Sequence, residues 1–148
     1  MSSQPNILTG LKVLDLTRAL AGPSCTRMFA EMGADVIKVE RPDAGDDTRK
    51  FAPPFLKDAA GDDTSESAYF MSANRNKRSV VVDISKPEGQ EVVRRLIGKA
   101  DALVENFKTG NLARYALDYE SVRTDNPKLV YCSITGFGQT GPYAERPG

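Results

Sequence analysis

Charged, amide and aromatic side chains recur where short β-branched runs end, and these groups are well suited to bind a ligand. Arg41 follows one such run, a basic cluster over residues 74–78 precedes another, and Asn106 and Phe107 end a third. Arginine binds phosphate oxygens in a bidentate manner, whereas an amide and an aromatic ring can hold an adenine or a pantetheine arm. The pattern indicates an anionic small molecule. A solvated charged surface is the equally weighted alternative for the basic cluster.

Two glycine-containing turns are candidates for holding phosphates. Residues 136–141 match the G-x-G-x-x-G motif, but Pro142 follows at once and leaves no room for the helix that a dinucleotide site requires. The pattern therefore favours a glycine-rich loop over a nicotinamide site. The turn over residues 16–23 follows the first predicted strand, where α/β proteins bind nucleotides or acyl carriers. Its small residues Ala19, Ala21 and Gly22 favour either close approach of a ligand or tight packing of strand and helix, and spacing leaves both open.

The composition removes several kinds of chemistry. The chain has 148 residues, 20 basic and 20 acidic side chains, and no histidine. A chain without histidine holds no Ser-His-Asp triad and no histidine-ligated metal, and a formal net charge of zero argues against a nucleic-acid partner. No apolar run approaches the ~20 residues that cross a bilayer, so no membrane is expected. The cysteines, Cys25 and Cys132, lie far apart in sequence and are expected to be small buried side chains.

Short apolar runs alternate with helix-length amphipathic segments, which predicts an α/β fold with a Rossmann-like parallel sheet and flanking helices. The third run, residues 79–84, is almost entirely apolar and predicts a strand that is covered on both faces. Ser85 and Glu88 have the spacing of a capping box for the helix that follows. The predicted strands are residues 12–16, 35–40, 79–84, 102–105 and 129–134, and the predicted helical segments are residues 24–32, 68–73, 87–99, 111–116 and 119–124.

A polar stretch rich in proline, glycine and aspartate, residues 41–67, predicts one long loop, and loops of that length are more often functional or flexible than idle. The chain is long enough for one compact domain. It ends soon after the fifth predicted strand, without the closing elements of a doubly wound sheet. We therefore expect residues 1–148 to be a fragment.

Several segments, taken in order, resemble the start of a family III CoA-transferase, the formyl-CoA and carnitine-CoA transferase (CaiB/BaiF-like) family. The resemblance covers nearly the whole chain, and it is strongest to the succinyl-CoA:dicarboxylate transferases, such as the glutarate enzyme. The matching segments are residues 13–23 (VLDLTRALAGP), 32–42 (MGADVIKVERP), 45–49 (GDDTR), 74–79 (NRNKRS), 104–107 (VENF) and 133–142 (SITGFGQTGP).

The resemblance implies that residues 1–148 are the N-terminal part of a CoA-binding Rossmann-like large domain, which is built from both ends of a longer chain. It also implies an interlocked homodimer of the full-length protein. The family transfers coenzyme A, which is a substrate and not a permanently bound cofactor, between an acyl-CoA such as succinyl-CoA and a small carboxylic acid. Its nucleophilic aspartate forms a mixed anhydride and then a CoA thioester, and here that residue is expected beyond Gly148. This chemistry needs no histidine.

The resemblance also assigns CoA contacts to particular residues. Leu20 and Ala21 match the family's first turn, although some members have a glutamine at the position of Leu20. Arg41 matches the arginine that meets the nucleotide end and Arg114 matches a second basic contact, so both can neutralise phosphates. Residues 82–85 match more weakly. The strand-end segment that lines the CoA groove is matched by Asn106, Phe107 and Lys108.

Two other interpretations stay open. An α-methylacyl-CoA racemase resembles the same family but pairs an aspartate with a histidine, which is expected directly after Gly148. The full segment over residues 43–73 and the ending over residues 146–148 favour the transferase. A chain complete at this length would instead be a non-catalytic CoA-binding module. No leader or transit peptide is evident, which predicts the cytoplasm, with the mitochondrion and the peroxisome as alternatives because some family members work there.

Overall fold

The computed structural model of the chain describes residues 6–146, and within them strands and helices alternate as predicted. The ends of the elements differ from the predicted ones by a few residues. The strands are β1 (Lys12–Asp15), β2 (Asp35–Glu40), β3 (Phe55–Lys57), β4 (Asp63–Ser67), β5 (Arg78–Val81), β6 (Ala102–Glu105) and β7 (Val130–Ser133). The α-helices are α1 (Ala21–Glu31), α2 (Ala68–Asn74), α3 (Pro87–Ile97) and α4 (Tyr119–Val122), with short 3-10 helices at Asp47–Lys50 and Leu112–Tyr115.

The larger sheet has five strands in the order β5-β2-β1-β6-β7, and every neighbouring pair is parallel. Strand β1 lies in the middle, where Leu14 is opposite Ile37 of β2 and Leu103 of β6. Parallel strands need crossover connections: α1 connects β1 to its neighbour β2, and α3 connects the edge strand β5 to β6, on the far side of β2 and β1. The Rossmann-like parallel sheet with flanking helices is therefore confirmed.

Side chains alternate along the central strands and so reach two different faces of the sheet. On the face toward α3, Val93 and Ile97 of the helix are fully buried in one apolar cluster with Leu14 and Leu103. The face toward α1 carries a smaller apolar cluster of Val13, Ala30, Ala34, Val36 and Val104.

Two sequence-based predictions are wrong, one about the burial of strand β5 and one about the N-terminal cap of α3. The apolar run 79–84 predicts a strand covered on both faces, but β5 forms an edge of the described sheet, where Val81 is 63% exposed. The capping box is not formed. Ser85 Oγ donates to the carboxylate of Asp83 at 2.6 Å, and Lys86 occupies the N-cap position of α3 without a side-chain hydrogen bond. The Ser85 hydroxyl therefore bonds to the nearer Asp83 carboxylate and not to a backbone N–H group of the helix, as the capping box would require.

The single long loop predicted over residues 41–67 is wrong, because this stretch contains the 3-10 helix Asp47–Lys50 and an antiparallel hairpin of β3 and β4. The carboxylate of Asp58 closes the hairpin turn by accepting the N–H groups of Ala60 and Asp62, each at 2.9 Å. Local side-chain hydrogen bonds of this kind fix the course of a polar segment that has no hydrophobic periodicity.

The cysteines also differ from the prediction that both are buried. Cys25 of α1 is only half-buried. Burial, together with the nearby Cys132 and Asp15, raises the pKa of its thiol. Cys132 is exposed on β7, the other edge strand of the described sheet. An edge strand has a neighbour on one side only, so its side chains are covered less completely.

Candidate functional site

A cleft of about 670 Å³ opens at the carboxyl ends of the central strands β1 and β6. In parallel α/β sheets this is the edge where ligands bind. One wall is the turn between β1 and α1, a second is the turn after β6, and a third is the segment after β7. Five of the seven residues predicted to bind CoA line this cleft: Leu20, Ala21, Asn106, Phe107 and Lys108.

Side chains from other parts of the chain fix the turn between β1 and α1. Asn106 Oδ1 accepts the Arg18 N–H at 2.9 Å, and Asn106 Nδ2 donates to the Arg18 carbonyl at 2.8 Å. One step earlier, the Thr17 N–H donates to the carboxylate of Asp15 at 2.9 Å. Ala19 then has a φ of 64°, a left-handed conformation that is costly for a residue with a side chain. Asn106 therefore supports the turn, whether or not it also contacts a ligand.

A buried ion pair supports the same turn from below. Lys38 Nζ lies 2.8 Å from Asp46 Oδ2 and donates to the Thr17 carbonyl, also at 2.8 Å. Asp46 Oδ1 accepts the Ala19 N–H at 3.3 Å and the Thr48 N–H at 2.9 Å. The two charged side chains are 1% and 0% exposed. Burial opposes ionisation of Asp46, but its bonds to Lys38 and Thr48 and the charge of Lys38 hold its pKa below the ordinary value.

A second buried pair ties α1 to β1. Lys77 Nζ lies 2.9 Å from Asp15 Oδ2, from the Pro23 carbonyl and from Asn74 Oδ1. Burial lowers the pKa of Lys77 in spite of the neighbouring carboxylate. Asp15 Oδ2 also accepts the hydroxyl of Thr26 at 2.6 Å. The start of the helix that borders the cleft is therefore anchored to the central strand.

The first turn of α1 lies against β1 and at the same time borders the cleft. A Cβ at Gly22 would lie 2.4 Å from the Thr17 side chain, so tight packing explains this glycine. Ala21, by contrast, lines the cleft. Tight packing is therefore confirmed at Gly22, whereas close approach of a ligand to Ala21 stays a prediction. The N–H groups and the positive dipole end of a helix favour an anion at such a place.

The two arginines predicted to bind phosphates lie outside the 670 Å³ cleft. Arg41 lines a separate cleft of about 520 Å³ and forms an ion pair with Asp47. Asp47 also lies 3.1 Å from Arg18, which lines the first cleft, so this carboxylate links the two regions. Arg114 is exposed on the 3-10 helix Leu112–Tyr115 and lines neither cleft. Arg18 is not among the site residues predicted from the sequence, although its position just after a buried strand indicates the edge of the sheet where ligands bind.

Beside Arg41, Glu40 is buried and fully paired. Arg49 Nε and Nη2 donate to its carboxylate, each at 2.7 Å, and the Ser79 hydroxyl and the Asp46 N–H donate at 2.6 and 2.9 Å. Burial opposes the charge, but these hydrogen bonds and the charge of Arg49 lower the pKa of Glu40 to about 2. A carboxylate held so firmly in the ionised state acts as a fixed charge rather than as a general acid or base.

The segment after β7 confirms that the glycine motif is a loop. No helix begins within residues 134–146, which are the last part of the chain that the structure describes. Gly138 and Gly141 have φ values of 86° and 95°, which glycine adopts readily. Residues on both sides of the motif, including Thr135 and Ala144, line the 670 Å³ cleft. The loop is therefore a wall of the cleft and has no helix for a dinucleotide phosphate.

Within residues 6–146, no cluster of three or more cysteine or acidic side chains is arranged to hold a metal ion. No helix of the same range combines the length and the apolar character that crossing a membrane requires.

Fold and cleft together define a parallel α/β domain of the Rossmann-like kind, with a candidate ligand site at the carboxyl ends of its central strands. Comparison with known proteins identifies its family. The model of CoA-transferase family III matches residues 8–148, and the chain belongs to that family.

The chain spans about a third of the length of the curated relatives it matches. It is 56% identical, over its whole length, to the succinate–glutarate CoA-transferase of Agrobacterium fabrum, of which it covers 38%. It is 49% identical, over 95% of its length, to the succinyl-CoA:glutarate CoA-transferase of Mus musculus, of which it covers 31%. Among solved structures, a CaiB/BaiF family protein from Brucella suis superposes with a TM-score of 0.91 at 54% identity, over 98% of this chain and 37% of that one.

Proposed function

We propose that the full-length protein containing this chain transfers coenzyme A between an acyl-CoA, such as succinyl-CoA, and a small dicarboxylic acid. The observation that carries the proposal is the single cleft lined by Leu20, Ala21, Asn106, Phe107 and Lys108, all assigned independently to CoA by the family resemblance. The names of the relatives, which include glutarate and malate transferases, support succinyl-CoA as the donor.

In this proposal the cleft binds CoA and the chemistry takes place on an aspartate beyond Gly148. Phe107 and Leu20 supply apolar contact to the pantetheine arm, and Lys108 supplies a positive charge to a phosphate. Arg41 and Arg114 are proposed as outer contacts with the nucleotide phosphates. Both are solvent-exposed, and the guanidinium of Arg114 is accessible for bidentate binding. Arg41 already donates to the Gly45 carbonyl and to Asp47, so a phosphate would replace these contacts.

The proposed reaction conserves the activation of the thioester. The aspartate carboxylate attacks the acyl carbonyl of succinyl-CoA and expels the CoA thiolate, which leaves a mixed anhydride. The thiolate then attacks the aspartyl carbonyl of the anhydride, so succinate leaves and an aspartyl-CoA thioester forms. The acceptor carboxylate reverses these two steps: it attacks the aspartyl thioester, and the released thiolate attacks the acceptor carbonyl of the new anhydride.

The decisive experiment incubates the full-length protein with succinyl-CoA and glutarate and follows the CoA esters by liquid chromatography and mass spectrometry. We expect glutaryl-CoA and free succinate to appear in equal amounts. Protein that binds CoA but transfers it to none of a panel of dicarboxylates would be a non-catalytic binding module. Exchange of the α-hydrogen of a 2-methylacyl-CoA with deuterated water would indicate the racemase instead.

A matched pair of lysines tests the position of the CoA site. Lys108 lines the cleft, whereas Lys128 is an exposed lysine just before β7, at the opposite end of the sheet. Loss of a charged contact predicts that Lys108→Ala raises the CoA dissociation constant by about ten-fold, while Lys128→Ala leaves it unchanged. Equal affinities for both variants would remove Lys108 from the proposed site.

The same proposal includes the assembly and the location of the full-length protein. We expect a homodimer with interlocked subunits, in the cytoplasm. Light scattering of the full-length protein measures its mass in solution, and a monomer would contradict this part of the proposal.

A further inference from the structure

We propose that the buried Lys38–Asp46 pair is a positioning device that sets the backbone of residues 17–19 for CoA binding, although neither side chain lines the 670 Å³ cleft. This inference rests on the CoA-binding function proposed above.

The hydrogen bonds of the turn show why the pair matters. The Thr17 carbonyl accepts from Lys38 Nζ at 2.8 Å, and the Ala19 N–H donates to Asp46 Oδ1 at 3.3 Å. Between these two residues, the backbone N–H and carbonyl of Arg18 are both hydrogen-bonded to the Asn106 side chain. The backbone groups that determine where Leu20 and Ala21 stand are therefore held by side chains and not by neighbouring strands or helices.

The location of the pair makes this role specific. Lys38 comes from β2, and Asp46 comes from the segment after it, so the pair brings two separate parts of the chain to the turn. Thr48 fixes the Asp46 carboxylate further, by donating its N–H at 2.9 Å and its hydroxyl at 2.7 Å. The carboxylate is thus held at Oδ2 by Lys38 and at Oδ1 by Thr48, and Oδ1 is also the atom that accepts the Ala19 N–H.

The energetics of buried charges favour a role in geometry. Burying two ions costs a large desolvation penalty, and replacing a buried pair with neutral groups is often neutral or favourable for stability. Stability alone therefore gives little reason for a fully buried lysine and aspartate in this position. Two charge-assisted hydrogen bonds, from Lys38 to the Thr17 carbonyl and from the Ala19 N–H to Asp46, do define these backbone positions closely. They also oppose relaxation of Ala19, whose φ of 64° is unfavourable.

The test compares the full-length wild-type protein with a Lys38→Met/Asp46→Asn variant, which removes both charges and leaves no unpaired ion. We expect KM for the acyl-CoA and the CoA dissociation constant to rise by about ten-fold with little change in kcat, because only binding contacts are lost. Hydrogen exchange measured by mass spectrometry, without CoA, should show faster exchange of the peptide that contains residues 17–22. Thr48→Val is a milder second variant, since it removes one hydrogen bond to Asp46, and it should move the same quantities in the same direction.

Ile97→Val is the matched control, because Ile97 is a fully buried residue of α3, which packs on the opposite face of the sheet. It should lower the melting temperature without changing KM or the exchange of residues 17–22. Variants of the pair that lose melting temperature but keep the wild-type CoA affinity would overturn the positioning role and leave the proposed function intact. A wild-type protein that does not bind CoA would overturn the proposed function and this inference with it.

Discussion

The interface between α3 and the sheet buries apolar side chains such as Ile97 of the helix, whereas on the face toward α1 the carboxyl end of the sheet buries charged side chains. There, Lys38 is paired with Asp46 and Lys77 with Asp15, and all four side chains are at most 2% exposed. Apolar packing is non-directional and contributes chiefly to stability. Charge-assisted hydrogen bonds are directional, and here they hold the turn that borders the cleft. We infer that the apolar face toward α3 chiefly stabilises the domain, whereas the buried charges on the face toward α1 give the candidate ligand site a fixed shape.

Removing one partner of a buried pair should have the largest effect on stability. Lys77→Met leaves the Asp15 carboxylate buried and unpaired, which predicts a loss of about 3–5 kcal/mol in the free energy of unfolding. Urea denaturation of the full-length protein measures it. The double variant Asp15→Asn/Lys77→Met should recover part of the loss because it removes the unpaired charge. Equal losses for the single and the double variant would show that the ion pair itself is not the cause.

A cavity on the apolar face should have the next largest effect. Ile97→Ala removes fully buried methyl and methylene groups between α3 and the sheet, which predicts a loss of about 2–5 kcal/mol in the free energy of unfolding. We expect the CoA affinity of the folded protein to be unchanged, since Ile97 has no contact with the cleft. Calorimetric titration with CoA, well below the melting temperature, checks this. Weaker binding by Ile97→Ala would erase the distinction between the two faces.

Much of the apolar face could be predicted from the sequence, because hydrophobic periodicity reports burial directly. The alternation of strands and helices predicts the parallel sheet, and strand-end residues such as Asn106 and Phe107 meet in one cleft because carboxyl ends of parallel strands share an edge. Residues 79–84 show the limit of this signal. An apolar run indicates a strand but does not show whether that strand is central or lies at an edge.

Less of the charged face could be predicted. Lys38 within the apolar run of β2 signals a buried charge, but its partner Asp46 is in a segment without periodicity, so the pairing depends on the folded path of the chain. The turn that closes the hairpin depends in the same way on one carboxylate, that of Asp58. The resemblance predicts that Arg41 and Arg114 contact the CoA phosphates, and only the three-dimensional arrangement shows that they lie outside the 670 Å³ cleft.

Glu40 should make a smaller contribution, one that depends on pH. Its pKa falls from an ordinary 4.5 to about 2 on folding, so its charge stabilises the protein fully above pH 4.5, and that stabilisation is lost as the pH falls toward 2. Glu40→Gln removes charged hydrogen bonds to Arg49, which predicts a loss of about 1.5–3 kcal/mol at neutral pH. Urea denaturation from pH 7 to pH 2.5 should show a flatter pH dependence for this variant. Parallel profiles would mean that other carboxylates determine the acid sensitivity.

The smallest effect on stability is expected at Ala19, where the turn is strained. Glycine adopts a φ of 64° without a steric cost, but it also makes the unfolded chain more flexible. These terms oppose each other, so Ala19→Gly should change the free energy of unfolding by less than about 1 kcal/mol. The CoA dissociation constant should nevertheless rise by a few fold, because a glycine lets the turn visit conformations in which Leu20 leaves the cleft. Unchanged affinity would mean that the bonds from Lys38, Asp46 and Asn106 define the turn whatever residue stands between them.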